Sequence, residues 1–131
     1  MINIWAVLVI TIIYFILGAL WYSPLLFGKI WADAMNFNID ELEPKPKMFI
    51  GAAISAFITT FFLAILLDLI GNYNIITGLL VGLIIGIGFV LTIGLYDVLY
   101  EDKNVKAYII DALYHISAIL IAGIILSLWL A

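Results

Sequence analysis

Asp111 and His115 stand four residues apart inside an otherwise apolar stretch, "AYIIDALYHISAILIAGIILSLWLA". On a helix, that spacing puts both side chains on one face. If the helix begins near Lys106, His115 lies about 14 Å along it, close to the middle of a bilayer. A third ionisable group, Asp97, precedes them in "IGLYDVLYE". Folding the chain about Lys103–Asn104 brings Asp97 level with Asp111 and Thr92 level with His115, while Tyr14, Thr59 and Thr60 fall at similar depth. Ionisable groups within hydrocarbon are costly, turn toward the protein interior and mark function by default. The chemistry such a set suits is a proton or cation relay, with Asp97 and Asp111 at the mouth and His115 at the centre. The competing reading is a neutral imidazole bonded to Tyr14 or a threonine, which ties helices together and moves nothing.

Other chemistries fit less well. A metal held by Asp111 and His115 with Asp97 or Glu101 is a weak alternative, because the chain has one histidine and no cysteine. No metal and no cofactor is expected. No nucleophile–base–orienter set, phosphate loop or cofactor fingerprint is present, so the expectation is a protein that is not an enzyme.

The elements that must position these residues follow from composition. Of 131 residues, 67% are hydrophobic and only 11% charged, against about a quarter charged in a typical soluble domain. Four apolar runs, about 4–22, 48–70, 75–96 and 108–130, each reach the roughly 20 residues that cross about 30 Å of hydrocarbon as a helix. They are apolar on every side and too long for barrel strands. The fold expected is all-α: a four-helix transmembrane bundle forming a single integral membrane domain over residues 1–131, with the lipid bilayer as its first partner. The first run lacks a basic leader and is followed by bulky residues, so a cleavable signal peptide is not expected.

All five lysines fall in the first and third connections, and the chain has no arginine. The positive-inside rule then makes residues 23–47 and 97–107 cytoplasmic and puts both termini outside, in what is expected to be the plasma membrane. A net charge of −4 argues against nucleic acid, which needs clustered cations.

The first run stops at "GALWYSPLLFGKIW". Trp21 and Tyr22 suit headgroup depth, Ser23 suits an N-cap and Pro24 the first helical position. A short interfacial helix over about 23–36 is predicted, anchored by Trp21, Tyr22, Phe27, Lys29 and Trp31, and followed by a polar cytoplasmic loop at 37–47. This stretch, with "VLYE", "ALYHI" and "GIILSLW", resembles the small integral-membrane family catalogued as domain of unknown function 1761. The resemblance spans nearly the whole chain and implies a compact four-helix membrane protein. It implies no activity. Similar sequences tend to carry an amide near Asp111, so a site built on that carboxylate is not expected of the whole family.

On the third run, Gly78, Gly82, Gly86 and Gly94 repeat every four or eight residues. Such a ridge lets another helix approach closely. It serves packing within the chain, for which small residues from Gly51 to Ala64 on the second run offer a match, or else a subunit interface or pore-lining face. Two functions follow. One is an oligomeric transporter or channel subunit for a small solute or cation. The other is a structural or accessory protein that packs a partner helix through the ridge. A homo-oligomer or a membrane partner helix is expected in either case, since so small a bundle fills its own centre.

Overall fold

The computed structural model describes residues 2–130. Helix α1 spans Ile4–Trp21, a short α2 spans Gly28–Ala34, and α3 spans Pro46–Ile70. The third run is one continuous rod made of α4 (Ile75–Ile85), a π-helical segment Gly86–Leu91 and α5 (Thr92–Glu101). Helix α6 spans Val105–Leu130. Four of these rods are long and apolar enough to cross a membrane: α1, α3, α4 through α5, and α6. No strand occurs among the described residues. At the lysine-bearing face the rods outrun the apolar stretches, because the polar residues of their end turns are helical too. Asp97 and Glu101 are therefore on a helix.

Asparagine sets several of the helix starts. The Asn3 carboxamide oxygen accepts from the backbone N–H groups of Trp5 and Ala6, at 3.0 and 3.2 Å. Asn74 does the same for Thr77 at 2.9 Å, and Asn104 for Lys106 at 2.8 Å. Each replaces a hydrogen bond that a helix start leaves open. Gly71, at φ +74°, ends α3 in the left-handed region, which glycine reaches without a Cβ penalty. In the turn that follows, the Tyr73 hydroxyl donates to Asp68, which holds the phenol above its ordinary pKa range.

Helix α6 is the centre of the bundle. It packs against α1, α2, α3 and the whole third rod, and it is the most buried of the four long apolar rods. Its small residues Ala107, Ala112, Ala118, Ala122 and Gly123 permit this. The apolar core, including Val7, Ile10, Leu63, Leu67, Ile119 and Leu126, fills the half of the bundle away from the lysines. Helices α3 and α4 touch only sparsely, although just four residues join them. They diverge in front of α6.

The glycine ridge meets α6, and not the small residues of the second span. A Cβ on Gly123 would stand 2.5 Å from the Gly78 carbonyl oxygen, and one on Gly82 or Gly86 would press on Leu120 or Ile116. Gly94 seats the ring of Tyr108. The ridge is thus covered within the chain, and a partner helix cannot use it. Gly51 and Gly88 face open space.

The π segment explains how Gly94 stays in line. On an ideal α-helix, eight residues would carry Gly94 roughly 80° away from Gly86. One residue of π insertion removes about 100° of that rotation and restores the face. The backbone carbonyls it loosens find partners: Ile87 O accepts from the Thr92 hydroxyl at 3.0 Å, and Leu91 O accepts from the Tyr108 hydroxyl.

Candidate functional site

The elbow after α1 is the first wall of the site. Its helix starts later than the Ser-Pro pair predicts, at Gly28. Ser23 does not cap it: the Ser23 hydroxyl instead donates back to Leu20 O at 2.7 Å. Residues 24–27 are turns, closed by Gly28 N–H on Ser23 O at 3.0 Å. That tight closure swings the two aromatics inward. Trp21 Nε1 donates to Ile110 O of α6 at 3.1 Å, and the Tyr22 hydroxyl donates to Asp111 Oδ1 at 2.5 Å. Trp31 packs edge-on against Tyr22, with ring centres 5.6 Å apart. Expected as headgroup anchors, Trp21, Tyr22 and Trp31 are engaged within the protein. Phe27 and Lys29 are on the exposed side. For Trp21 and Tyr22, a protein carbonyl and a carboxylate satisfy the ring's polar handle as well as a lipid headgroup does; Trp31 Nε1 is buried without a partner among the described residues.

The turn between α5 and α6 builds the second wall. Asp102 adopts φ +53°, and Lys103 N–H reaches back to Asp97 O at 3.1 Å, closing the helix end through a left-handed residue. It folds the Lys103 side chain onto α6, where Nζ lies 2.5 Å from Asp111 Oδ2. Asp111 is therefore held from two sides, by a lysine and a phenol.

One turn deeper, the Tyr14 hydroxyl and His115 Nδ1 share a 2.7 Å hydrogen bond. Tyr114 steadies the pair by donating to Tyr14 O at 3.1 Å, its ring resting on Gly18. A glycine on each of two neighbours of α6, Gly18 on α1 and Gly94 on α5, thus seats one of its tyrosines. The other imidazole nitrogen, Nε2, has no partner among the described residues. The His115 side chain also lines a cavity.

That cavity measures about 750 Å³ and is lined by Asp97, Lys103, Asp111 and His115 together with Tyr22, Trp31 and Tyr108. Phe37, Leu42, Glu43 and Pro44 also line it, so the polar connection folds onto the cavity. The Phe37 ring lies 5.8 Å from that of Trp31. The Asp97 carboxylate makes no hydrogen bond or ion pair among the described residues.

The three proposed relay residues therefore share one space. The supporting set does not. Tyr14 joins His115, but Thr92 is exposed and bonded along its own helix. Thr59 lines a separate apolar groove, and Thr60 is buried with its hydroxyl unpartnered among the described residues. Gly94 meets Tyr108 and Gly86 meets Ile116, so the chain turns earlier than a fold about Lys103–Asn104 predicts, and Thr92 comes level with Ile110 rather than with His115. No group of three or more His, Cys, Asp or Glu positioned to hold a metal occurs among the described residues. Lys103, Tyr108 and Tyr114 were not anticipated. The one sequence signal for Tyr114 is its place beside His115 in "ALYHI".

The family model described as protein of unknown function (DUF1761) matches residues 5–127. The chain belongs to this family. No curated protein and no solved structure matches it. The matched part of this DUF1761 chain contains every residue that lines the cavity.

Proposed function

We propose that this DUF1761 protein is a solute-handling membrane subunit, of transporter or channel type, whose binding chamber is the cavity at the lysine-bearing face. One observation carries the reading: Asp97 on the third rod and Asp111 and His115 on the fourth line the same cavity, although each pays a cost to lie in a membrane helix. His115 lines that space while its Nδ1 is bonded to Tyr14, which suits a group that passes a proton from cavity to interior. Because the far half of the bundle is packed with apolar side chains, a route across the membrane needs a homo-oligomer, a partner helix or a change of conformation. The protein is read as not being an enzyme, since its sequence carries no nucleophile–base–orienter set, phosphate loop or cofactor fingerprint.

A second reading has its own support. Asp111 is already paired by Lys103 and Tyr22, and His115 by Tyr14, as in a network that only fixes the fold. Proton flux into vesicles holding a pH-sensitive dye separates the two. On the relay reading, the protein raises flux above that of empty vesicles. His115→Gln returns it to background while thermal stability stays close to wild type. On the fold-fixing reading, wild-type vesicles match empty ones. Tyr14→Phe then costs about 1 kcal/mol of stability, the usual net worth of one hydrogen bond.

The orientation proposed puts the cavity mouth in the cytoplasm and both termini outside, from the placement of the lysines. Single cysteines at Asn72 and Glu101, both exposed, are expected to react with an impermeant reagent from opposite sides of an intact membrane. Labelling of both from one side would remove this orientation and the four-span topology with it.

A further inference from the structure

We infer that the cavity receives the head of a lipophilic ammonium ion, an amine bearing an alkyl or aryl tail, and that the tail lies in the groove between α3 and the third rod. The inference rests on the solute-binding reading above and names its ligand.

Charge selects the head. The cavity is lined by three carboxylates, Asp97, Asp111 and Glu43, and by one lysine, Lys103. The ion pair of Lys103 with Asp111 cancels two of these charges, leaving Asp97 and Glu43 and a net charge of −2. Neither has a partner among the described residues, and Asp97 is the less exposed of the two. The rings of Tyr22, Trp31 and Tyr108 stand in the same wall, and aromatic faces attract an ammonium most strongly where water is scarce. An anion would meet two uncompensated carboxylates there.

The tail follows from how α3 and α4 diverge. Their gap contains an apolar groove of about 410 Å³, lined by Phe62, Leu66, Ile85 and Ile119 among others. His115 lines the cavity and Ile119 the groove. They are one turn apart on α6, roughly 6 Å along its axis. Val90 and Ile85 make the same handover on the third rod, across the π segment. The charged cavity and the apolar groove are thus neighbours along α6 and the third rod. An amphiphile already dissolved in the bilayer can slide in sideways, head toward the lysine-bearing face.

The test uses the full chain in phosphatidylcholine nanodiscs and three probes of equal chain length: dodecylammonium, dodecanol and dodecyl sulfate. Calorimetry is expected to show dodecylammonium bound about tenfold or more tighter than dodecanol, as close charge pairs at interfaces give, and dodecyl sulfate weakest. Asp97→Asn should abolish the preference for the ammonium without weakening dodecanol, and Asp97→Glu should retain it. Leu66→Trp should weaken dodecylammonium and leave butylammonium, which is too short for the groove, unaffected. Equal affinity for all three probes, or a preference for the sulfate, would overturn the ammonium assignment while leaving a solute-binding cavity. Binding of none of them would overturn both readings. If Asp97→Asn does not fold, the ranking of probes on the wild-type protein still decides the matter.

Discussion

Replacing Gly78 with leucine is expected to unfold the bundle or bring it close to unfolding. At that position α4 and α6 touch backbone to backbone. A Cβ on Gly78 would run into the Gly123 carbonyl and the Ser127 hydroxyl, and a main-chain carbonyl cannot swing aside as a side chain does. Overpacking usually costs about 1–3 kcal/mol, occasionally more, and this site belongs at the upper end. Graded controls sharpen the test. Gly86→Leu meets the Ile116 side chain at 2.9 Å and Gly82→Leu meets the end of Leu120 at 3.0 Å, so each is expected to cost less than Gly78→Leu. Gly88→Leu meets nothing within 4 Å and should be close to neutral. Unfolding in mixed micelles, followed by circular dichroism, measures the series. No separate dissociation step should accompany the loss, because the ridge is an internal contact. A Gly78→Leu protein as stable as Gly88→Leu would remove the α4–α6 crossing from the fold.

The second large effect is expected at Lys103→Met. Asp111 would keep only the Tyr22 bond, and its side chain is 22% exposed. Removing one partner of a buried ion pair costs about 3–5 kcal/mol; with a fifth of each group still reaching solvent, about 2–3 kcal/mol is the expectation here. Asp111→Asn should cost less, since the lysine it leaves sits on a turn and can extend into water. The double variant Lys103→Met with Asp111→Leu should be more stable than the sum of the single losses predicts, by about 1 kcal/mol or more. That coupling should survive high salt, which screens exposed pairs far more than part-buried ones. Additive losses would mean that the lysine and the carboxylate do not meet.

Several of these features are written plainly in the chain. Run length against hydrocarbon thickness determines four helices long and apolar enough to span. The spacing of Asp111 and His115 determines that they share a face, and glycines at every fourth residue determine that some helix comes close to the third rod. These are local properties, set by rise per residue and by the size of a side chain. Which helix comes close is not local. The ridge fits α6, although α3 also offers small residues: Gly78 meets Gly123 backbone to backbone, and Gly82, Gly86 and Gly94 make room for Leu120, Ile116 and Tyr108.

Tertiary structure decided what the polar groups do. The left-handed turn at Asp102 aims Lys103 at Asp111, and the closure at Gly28 turns Trp21 and Tyr22 away from lipid and into α6. The π insertion turns Gly94 toward Tyr108 and leaves Thr92 exposed. The acidic connection, polar enough to read as free in water, folds Phe37 and Leu42 onto the cavity. The physical reason is the solvent. In water, an amphipathic helix declares its buried face by contrast. In a bilayer, a leucine facing lipid and a leucine facing protein are equally satisfied, so composition along these rods does not distinguish inside from outside. Only packing of small residues and the pairing of a few polar groups make that distinction, and both depend on where the other helices lie.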